Sequence, residues 1–348
     1  MPRLRRVDVS DPGIRRRRRG RGFEYYDENG ERIEDIETLE RIRELAIPPA
    51  WKDVWICPYP NGHIQAVGTD AAGRRQYRYH QKWRERRDQI KFDRMVEFAR
   101  ALPRLRETAS HDVGKPGFPR EKILACAVRL LDRGFFRIGG EEYAEENESY
   151  GLATMQKRHV RLGDEDTITF DYPAKAGKRQ IRSVVDPAVF EIVAALKRRR
   201  SGRELLAYQV DGDWFDVRSA DINAYIKEAT GGDFSAKDFR TWSGTVLAAV
   251  ALAVSGPVAT SKTGRKRAIS RAVAEVAHYL GNTPAVARAS YIDPRVFDRY
   301  LSGITIGGVL AELGERAELG DPAFQGAVEE AVLDLLEDER SPALEKVA

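Results

Sequence analysis

The sequence predicts an α+β protein in which a small β-rich N-terminal domain precedes a larger, mainly helical one. Three observations carry that expectation. Residues 23–90 alternate apolar and polar side chains around two Asn-Gly corners, the pattern of strands joined by tight turns. From residue 91 onward, VEFARALPRL, EKILACAVRLLDRG and FEIVAALKRRR repeat their apolar residues at helical spacing. Within that helical part, TITFDY and RQIRSVV flank PAKAGK as two strands flank a turn, which predicts one β-hairpin near residues 167–185.

Taken in order, residues 1–22 contain RRRRRGRG and are expected to form a flexible basic arm able to meet phosphates without sequence preference. GFEYYDENGERIED and VWICPYPNGHIQAVGTD each carry an Asn-Gly turn, and GRRQYRYHQKWRERRDQ alternates Tyr77 and Tyr79 with Arg78 and His80. The β-rich domain closes near residue 90. Further on, DFRTWSGTVLAAVALAV and SRAVAEVAHYLG read as helices, the first with Asp238 as its cap. In LGNTPAVARASYIDP, Gly281 closes one helix, Thr283 caps the next, Pro284 fits its first turn, and Tyr291 falls near its end. The acidic AVEEAVLDLLEDER supplies a last amphipathic helix.

The composition limits the function. At 348 residues the chain is long enough for two domains, and 42% hydrophobic with 32% charged residues suits a globular protein with a heavily charged surface. No run of about 18 apolar residues occurs and MPRLRR leads into no apolar stretch, so neither a membrane span nor a secretory signal is expected and the cytoplasm is the default. Cys57 and Cys126 lie far apart without CxxC spacing, which argues against a disulfide framework and a zinc cluster. The net charge of +4 conceals an asymmetry: from Ile304 on, three basic residues face eleven acidic ones, a net of −8 that leaves +12 on residues 1–303. A basic body of this kind favours nucleic acid or another polyanion.

Common catalytic patterns fall away. GPVATSKT, from Gly256, lacks the second glycine that lets a P-loop wrap phosphate, because Ser261 stands there, so no nucleotide cofactor is expected. Five scattered histidines and the acidic EEYAEENE, read as a solvated helical face, offer no metal site, and no G-x-S-x-G elbow exists. What remains is a set of donors: Arg137 after a helix ending at Gly134, Lys175 in the hairpin turn, Arg240 at the start of DFRTWSGT, Asn282 at the helix corner, and Tyr291. Singly, each has a dull explanation as a salt-bridge former, a turn residue or a packed aromatic. Jointly they are what metal-free phosphoryl transfer requires. Charge gathering on the non-bridging oxygens must be met by fixed cations, for which the arginine fork is suited. A tyrosine hydroxyl serves as nucleophile where adjacent cations favour its phenolate.

FRIGGEEYAEENESYGLATM, KDFRTWSGT and LGNTPAVARASYIDP together resemble the bacterial, poxvirus-like branch of the type IB DNA topoisomerases, and the likeness runs from about VWICP to SYIDP. The resemblance implies a helical catalytic domain of the tyrosine recombinase/type IB topoisomerase type and a monomeric clamp around duplex DNA in the bacterial cytoplasm and nucleoid. It implies Tyr291 as nucleophile, Arg137 and Arg240 as phosphate-binding arginines, and Lys175 as general acid, with Lys178 three residues along the same turn. Asn282 stands where poxvirus and eukaryotic members have histidine. GRRQYRYH resembles the stretch that enters the DNA major groove, which suggests Gln76, Tyr77 and Tyr79 as contacts; the alternation fits one face of a strand equally well. Cleavage of one strand would leave a 3′-phosphotyrosyl bond, let the 5′-hydroxyl end rotate and reseal, with no metal, ATP or other cofactor implied.

Two other readings stay open on the residues alone. A tyrosine site-specific recombinase shares the chemistry, but such enzymes usually carry an H-x-L-R-H type motif where this chain has KDFRTWSG. A non-catalytic basic DNA-binding protein would explain the charge and leave the five-residue constellation as coincidence.

Overall fold

The arginine run is a strand. In the computed structural model, which describes residues 3–256, 261–314, 322–337 and 343–346, β1 (Ile14–Arg19) pairs antiparallel with β2 (Gly22–Tyr26) and with a later strand through Ile14 and Arg15. This corrects the expected flexible arm. Charge pattern favours solvation, but alternation lets a strand carry it: Ile14 is buried, and Arg16 turns inward to donate to the carbonyls of Pro48 (3.2 Å) and Trp51 (2.7 Å) while its guanidinium covers the Phe23 ring. The other arginines of β1 face solvent.

The chain divides into two compact units, Met1–Lys91 and Phe92–Ala348. In the first, α1 (Ile36–Glu44), capped by Asp35, accompanies β3 (Lys52–Ile56), β4 (Ile64–Thr69) and β5 (Arg75–Tyr79). The strands form one antiparallel sheet in the order β2-β1-β3-β4-β5, so β5 is an edge. Ile14, Ile42, Val54, Ile56 and Ala66 make its core under α1, while Trp55, Cys57 and Val67 are buried on the other face.

The division falls within α2 (Gln81–Val113). The second unit continues with α3 (Arg120–Gly134), α4 (Glu141–Asn147) and a three-stranded sheet, β6 (Val160–Leu162), β7 (Thr167–Pro173) and β8 (Arg179–Val185). β7 and β8 run in register from Thr167↔Val185 to Pro173↔Arg179, and a 3-10 turn over Lys175–Gly177 joins them. Then come α5 (Pro187–Arg198), the hairpin β9 (Ala207–Val210) and β10 (Asp213–Asp216), α6 (Ser219–Thr230) and α7 (Ala236–Ser255). Ser235, not Asp238, is the N-cap of α7; Asp238 sits three residues in and accepts from the Ser235 amide at 2.7 Å, the reciprocal half of a capping box. Within GPVATSKT, residues 257–260 lie outside the described residues.

The chain closes through α8 (Lys262–Leu280), α9 (Pro284–Ser290), α10 (Pro294–Leu301), β11 (Ile304–Thr305), α11 (Gly307–Gly314), α12 (Pro322–Glu337) and β12 (Glu345–Lys346). Phe98, Phe136, Phe170, Phe239 and Trp242 are fully buried at the centre of this unit. No helix among the described residues is long and apolar enough to cross a membrane.

Candidate active site

The site grows from the corner between α8 and α9. Gly281 takes the left-handed conformation (φ +61°) that ends α8, and the Asn282 amide reaches back to the Ala277 carbonyl at 2.9 Å. Thr283 caps α9 by accepting from the Val286 amide, with Pro284 at its first position. Tyr291 terminates α9, its amide bonded to the Ala287 carbonyl and its side chain half-buried.

A helix end leaves carbonyls without intrahelical donors, and at this one they hold arginines. Arg240 donates to the Leu280 carbonyl (2.7 Å) and to that of Phe135 (2.7 Å), and Arg137 donates to the Gly281 carbonyl (3.2 Å) and to Oδ1 of Asn282. Arg240 is only 4% exposed, its Nε has no hydrogen-bond partner, and its guanidinium carbon lies 5.1 Å from the Tyr291 ring centroid. Burial pulls the Arg240 pKa down to about 10, Tyr291 opposing and Arg137 adding to the fall, so the group remains a cation at neutral pH. Arg240 is the fifth residue of α7, and its two carbonyl acceptors position it.

The Arg137 backbone is fixed by two glycines. Phe135 reverses the chain after α3 in a left-handed conformation (φ +55°), which sends Phe136 into the core. Gly139 and Gly151 then pack backbone to backbone: a Cβ on Gly151 would lie 2.4 Å from the Gly139 nitrogen. The Leu152 amide donates to the Arg137 carbonyl at 2.8 Å. That contact is where the FRIGG and SYGLAT segments cross, each through a glycine. Glu141, from the acidic stretch expected to be a solvated face, instead accepts from the Ser219 amide (2.6 Å) and hydroxyl at the start of α6.

The Asn282 amide is oriented by its neighbour. Its oxygen faces the Arg137 guanidinium, which leaves the buried Nδ2 without a partner. A buried donor without an acceptor is uncommon in folded proteins. The Tyr291 backbone needs Gly244 on α7, where a Cβ would come 2.6 Å from the Tyr291 carbonyl oxygen. Beside it, the Thr245 hydroxyl accepts from the Asp293 amide at 3.1 Å. A glycine inside a helix was the one sequence signal for this contact.

Arg137, Arg240, Asn282 and Tyr291 are therefore brought together. Lys175 and Lys178 are exposed on the hairpin turn, and among the described residues neither ammonium makes a hydrogen bond or ion pair. In the other unit, Tyr77 and Tyr79 share the exposed face of β5 with ring centroids 5.9 Å apart and nearly parallel. Gln76 points to the opposite face, where its amide donates to Asp70 at 3.0 Å. A cavity of about 550 Å³ beside this strand is lined by Arg41, Tyr77, Arg78, Tyr79 and Arg84, among others.

Comparison with known proteins supplies the family. Residues 80–304 match the catalytic core of eukaryotic DNA topoisomerase I, and residues 22–70 match the N-terminal domain of bacterial DNA topoisomerase IB. DNA topoisomerase 1B of Acanthamoeba polyphaga mimivirus is 31% identical over 287 residues, covering 80% of this chain and 85% of that protein. DNA topoisomerase 1B of vaccinia virus (strain Western Reserve) is 26% identical over 142 residues, 39% of this chain and 44% of the viral one. DNA topoisomerase 1 of Daucus carota is 27% identical over 220 residues, 62% of this chain but 25% of the plant protein. The class is thus DNA topoisomerase, an isomerase acting on DNA, and within it the chain belongs to the type IB family. Enzymes of this family relax supercoils by opening one strand through a phosphotyrosyl intermediate and resealing it.

Proposed function

We propose that Tyr291 is the nucleophile of the strand-opening step and that Arg137, Arg240 and Asn282 stabilise its transition state. The Tyr291 oxygen bonds to phosphorus while the bond to the 5′-oxygen breaks, leaving a 3′-phosphotyrosyl linkage and a 5′-hydroxyl. One observation carries this reading: Arg240 is buried against Tyr291 and anchored by two backbone carbonyls, with no carboxylate among its acceptors. A buried cation without a carboxylate is costly by itself and favourable beside a phosphate. The free Nδ2 of Asn282 supports its role as donor to a non-bridging oxygen, the task given to histidine elsewhere in the family. Lys175, on the hairpin, is the proposed acid that protonates the departing 5′-oxygen.

The resemblance supports a catalytic fold of the tyrosine recombinase type and a monomeric clamp in which both units engage one duplex at the nucleoid. On that reading residues 23–90 form a DNA-binding domain, with Gln76, Tyr77 and Tyr79 as groove contacts. Gln76 would have to leave Asp70 to take part. The bond energy stays in the phosphotyrosine, so no nucleotide or metal is needed. The test is relaxation of a supercoiled plasmid in EDTA without ATP. Relaxation there is the expected result, and an absolute requirement for ATP or a divalent ion would overturn the cofactor-free mechanism.

A further inference from the structure

Arg182 stands at the same corner and has no part in the chemistry above. On β8 and half-buried, it donates through Nη2 to the Tyr279 carbonyl and to Oε1 of Gln180 (2.6 Å), and through Nη1 to the Ile181 carbonyl (3.2 Å). With Arg240 on Leu280 and Arg137 on Gly281, three successive carbonyls at the end of α8 each hold a different guanidinium. These are the carbonyls a helix leaves unpaired, at the negative end of its dipole. The acceptors of all three arginines are carbonyl, amide or phenol oxygens, which orient a guanidinium without cancelling its charge.

The cluster is also packed. A Cβ on Gly281 would lie 2.8 Å from Oε1 of Gln180, so the hairpin strand seats directly on the corner. Burial lowers the Arg182 pKa from the ordinary arginine range, Tyr172 opposing and the Arg137 charge contributing to the fall. Three like charges gathered on one helix end, with no carboxylate among their acceptors, favour an incoming polyanion. Arg182 keeps its Nε–H and one Nη1–H without an acceptor among the described residues.

We propose that Arg182 is a third phosphate-binding arginine of this site, reaching the cleaved strand from the hairpin side. The inference rests on the assignment of Arg137, Arg240 and Tyr291 to the reacting phosphodiester. It separates two tasks on one hairpin: Lys175 at the turn supplies a proton, and Arg182 on the strand supplies charge.

The experiment is single-turnover cleavage by the full-length enzyme of duplexes carrying one neutral methylphosphonate, at the scissile phosphate or at either neighbouring phosphate. On all-phosphate DNA, Arg182→Gln should cleave about 10- to 100-fold more slowly, the loss of a charge-assisted hydrogen bond. That deficit should vanish at the one position where the phosphate charge has been removed. Arg182→Lys, which keeps the charge and loses the fork, should fall between and shrink its deficit at the same position; it carries the comparison if Arg182→Gln does not fold. A deficit of equal size at all three positions, or none on ordinary DNA, would mean that Arg182 only braces the hairpin. Arg137→Ala is run in parallel. If its deficit is not reduced by methylphosphonate at the scissile position, the reading of the site itself fails; if it is reduced while Arg182→Gln stays unrescued, only the present inference fails.

Discussion

The Arg240 guanidinium lies 5.1 Å from the Tyr291 ring centroid while its two amino groups hold the Phe135 and Leu280 carbonyls, segments far apart in the chain. The phenol is thus presented to a cation that two backbone carbonyls already anchor. Tyr291→Phe should therefore keep the site and its DNA affinity nearly unchanged while abolishing the covalent adduct, since only the nucleophilic oxygen is lost. Denaturing gels and a filter-binding titration measure the two; an adduct in the Phe variant would place the nucleophile elsewhere.

Gly244→Ala should impair cleavage without touching any charged group. Its new methyl would lie 2.6 Å from the Tyr291 carbonyl, so either α7 or the tyrosine must shift. Overpacking of this kind costs about 1–3 kcal/mol, and the displaced nucleophile should slow cleavage about 100-fold. Urea unfolding and single-turnover cleavage together check this. A variant with wild-type cleavage would show that the contact has slack.

Lys175→Ala should cleave ordinary DNA about 10²–10⁴-fold more slowly, as befits a lost general acid, and recover on DNA whose bridging 5′-oxygen is sulfur. A thiolate leaves without a proton. Arg137→Ala should recover much less, because its task is charge on the non-bridging oxygens. Sulfur rescue of Lys178→Ala with Lys175→Ala still impaired would move the acid three residues along the turn.

Glu329 ties the acidic helix α12 to the catalytic unit, accepting from Arg106 (2.6 Å) and from the Trp242 indole (2.9 Å), two residues along α7 from Arg240. Burial works against the Arg106 charge, yet Glu329 and Asp132 more than restore it and raise its pKa. The pair is partly exposed, so Glu329→Ala should cost about 1–3 kcal/mol, less than a fully buried pair. Glu329→Gln, which still accepts from Trp242, should lie between. Thermal unfolding decides; equal stability in all three proteins would mean α12 is not anchored there.

Near the turn end of the hairpin, Arg179 holds Asp171 across the strands with two 2.6 Å bonds and Arg161 adds a third, and these arginines keep the Asp171 pKa down at about 2. Because the folded value lies below the ordinary carboxylate range, the contribution is present above about pH 4 and lost as pH falls toward 2. The stability difference between wild type and Asp171→Asn should therefore shrink between pH 4 and pH 2, as read from denaturant midpoints. A constant difference over that window would assign the effect to packing.

Much of the frame was legible in the residues. Gly281, Thr283 and Pro284 stop and start helices through bonds made within a few residues, and TITFDY, PAKAGK and RQIRSVV announce a hairpin by their alternation. Residue chemistry also singled out Arg137, Arg240, Asn282 and Tyr291, which the fold gathers at one corner. The arginine run misled because charge speaks of solvent while strand pairing depends on backbone partners, here Gly22–Tyr26 next along the chain and Trp55 and Ile56 further on, which the run of charges does not reveal. Asp238 misled by three residues because a capping box puts a carboxylate inside the helix as well as a hydroxyl before it.

What the sequence determined by itself is the set of elements and the kinds of side chain available for phosphate chemistry. Only the tertiary structure decided which arginines share a site. Arg182, Arg240 and Arg137 meet the end of α8 across separations of 97, 40 and 144 residues. Arg137 and Arg240 stand out by their motifs, but nothing local distinguishes Arg182 among the 58 basic residues. Their selection is made by three adjacent carbonyls that the helix cannot satisfy and by two glycine contacts, at Gly151 and Gly244, that let the chain come close enough to use them.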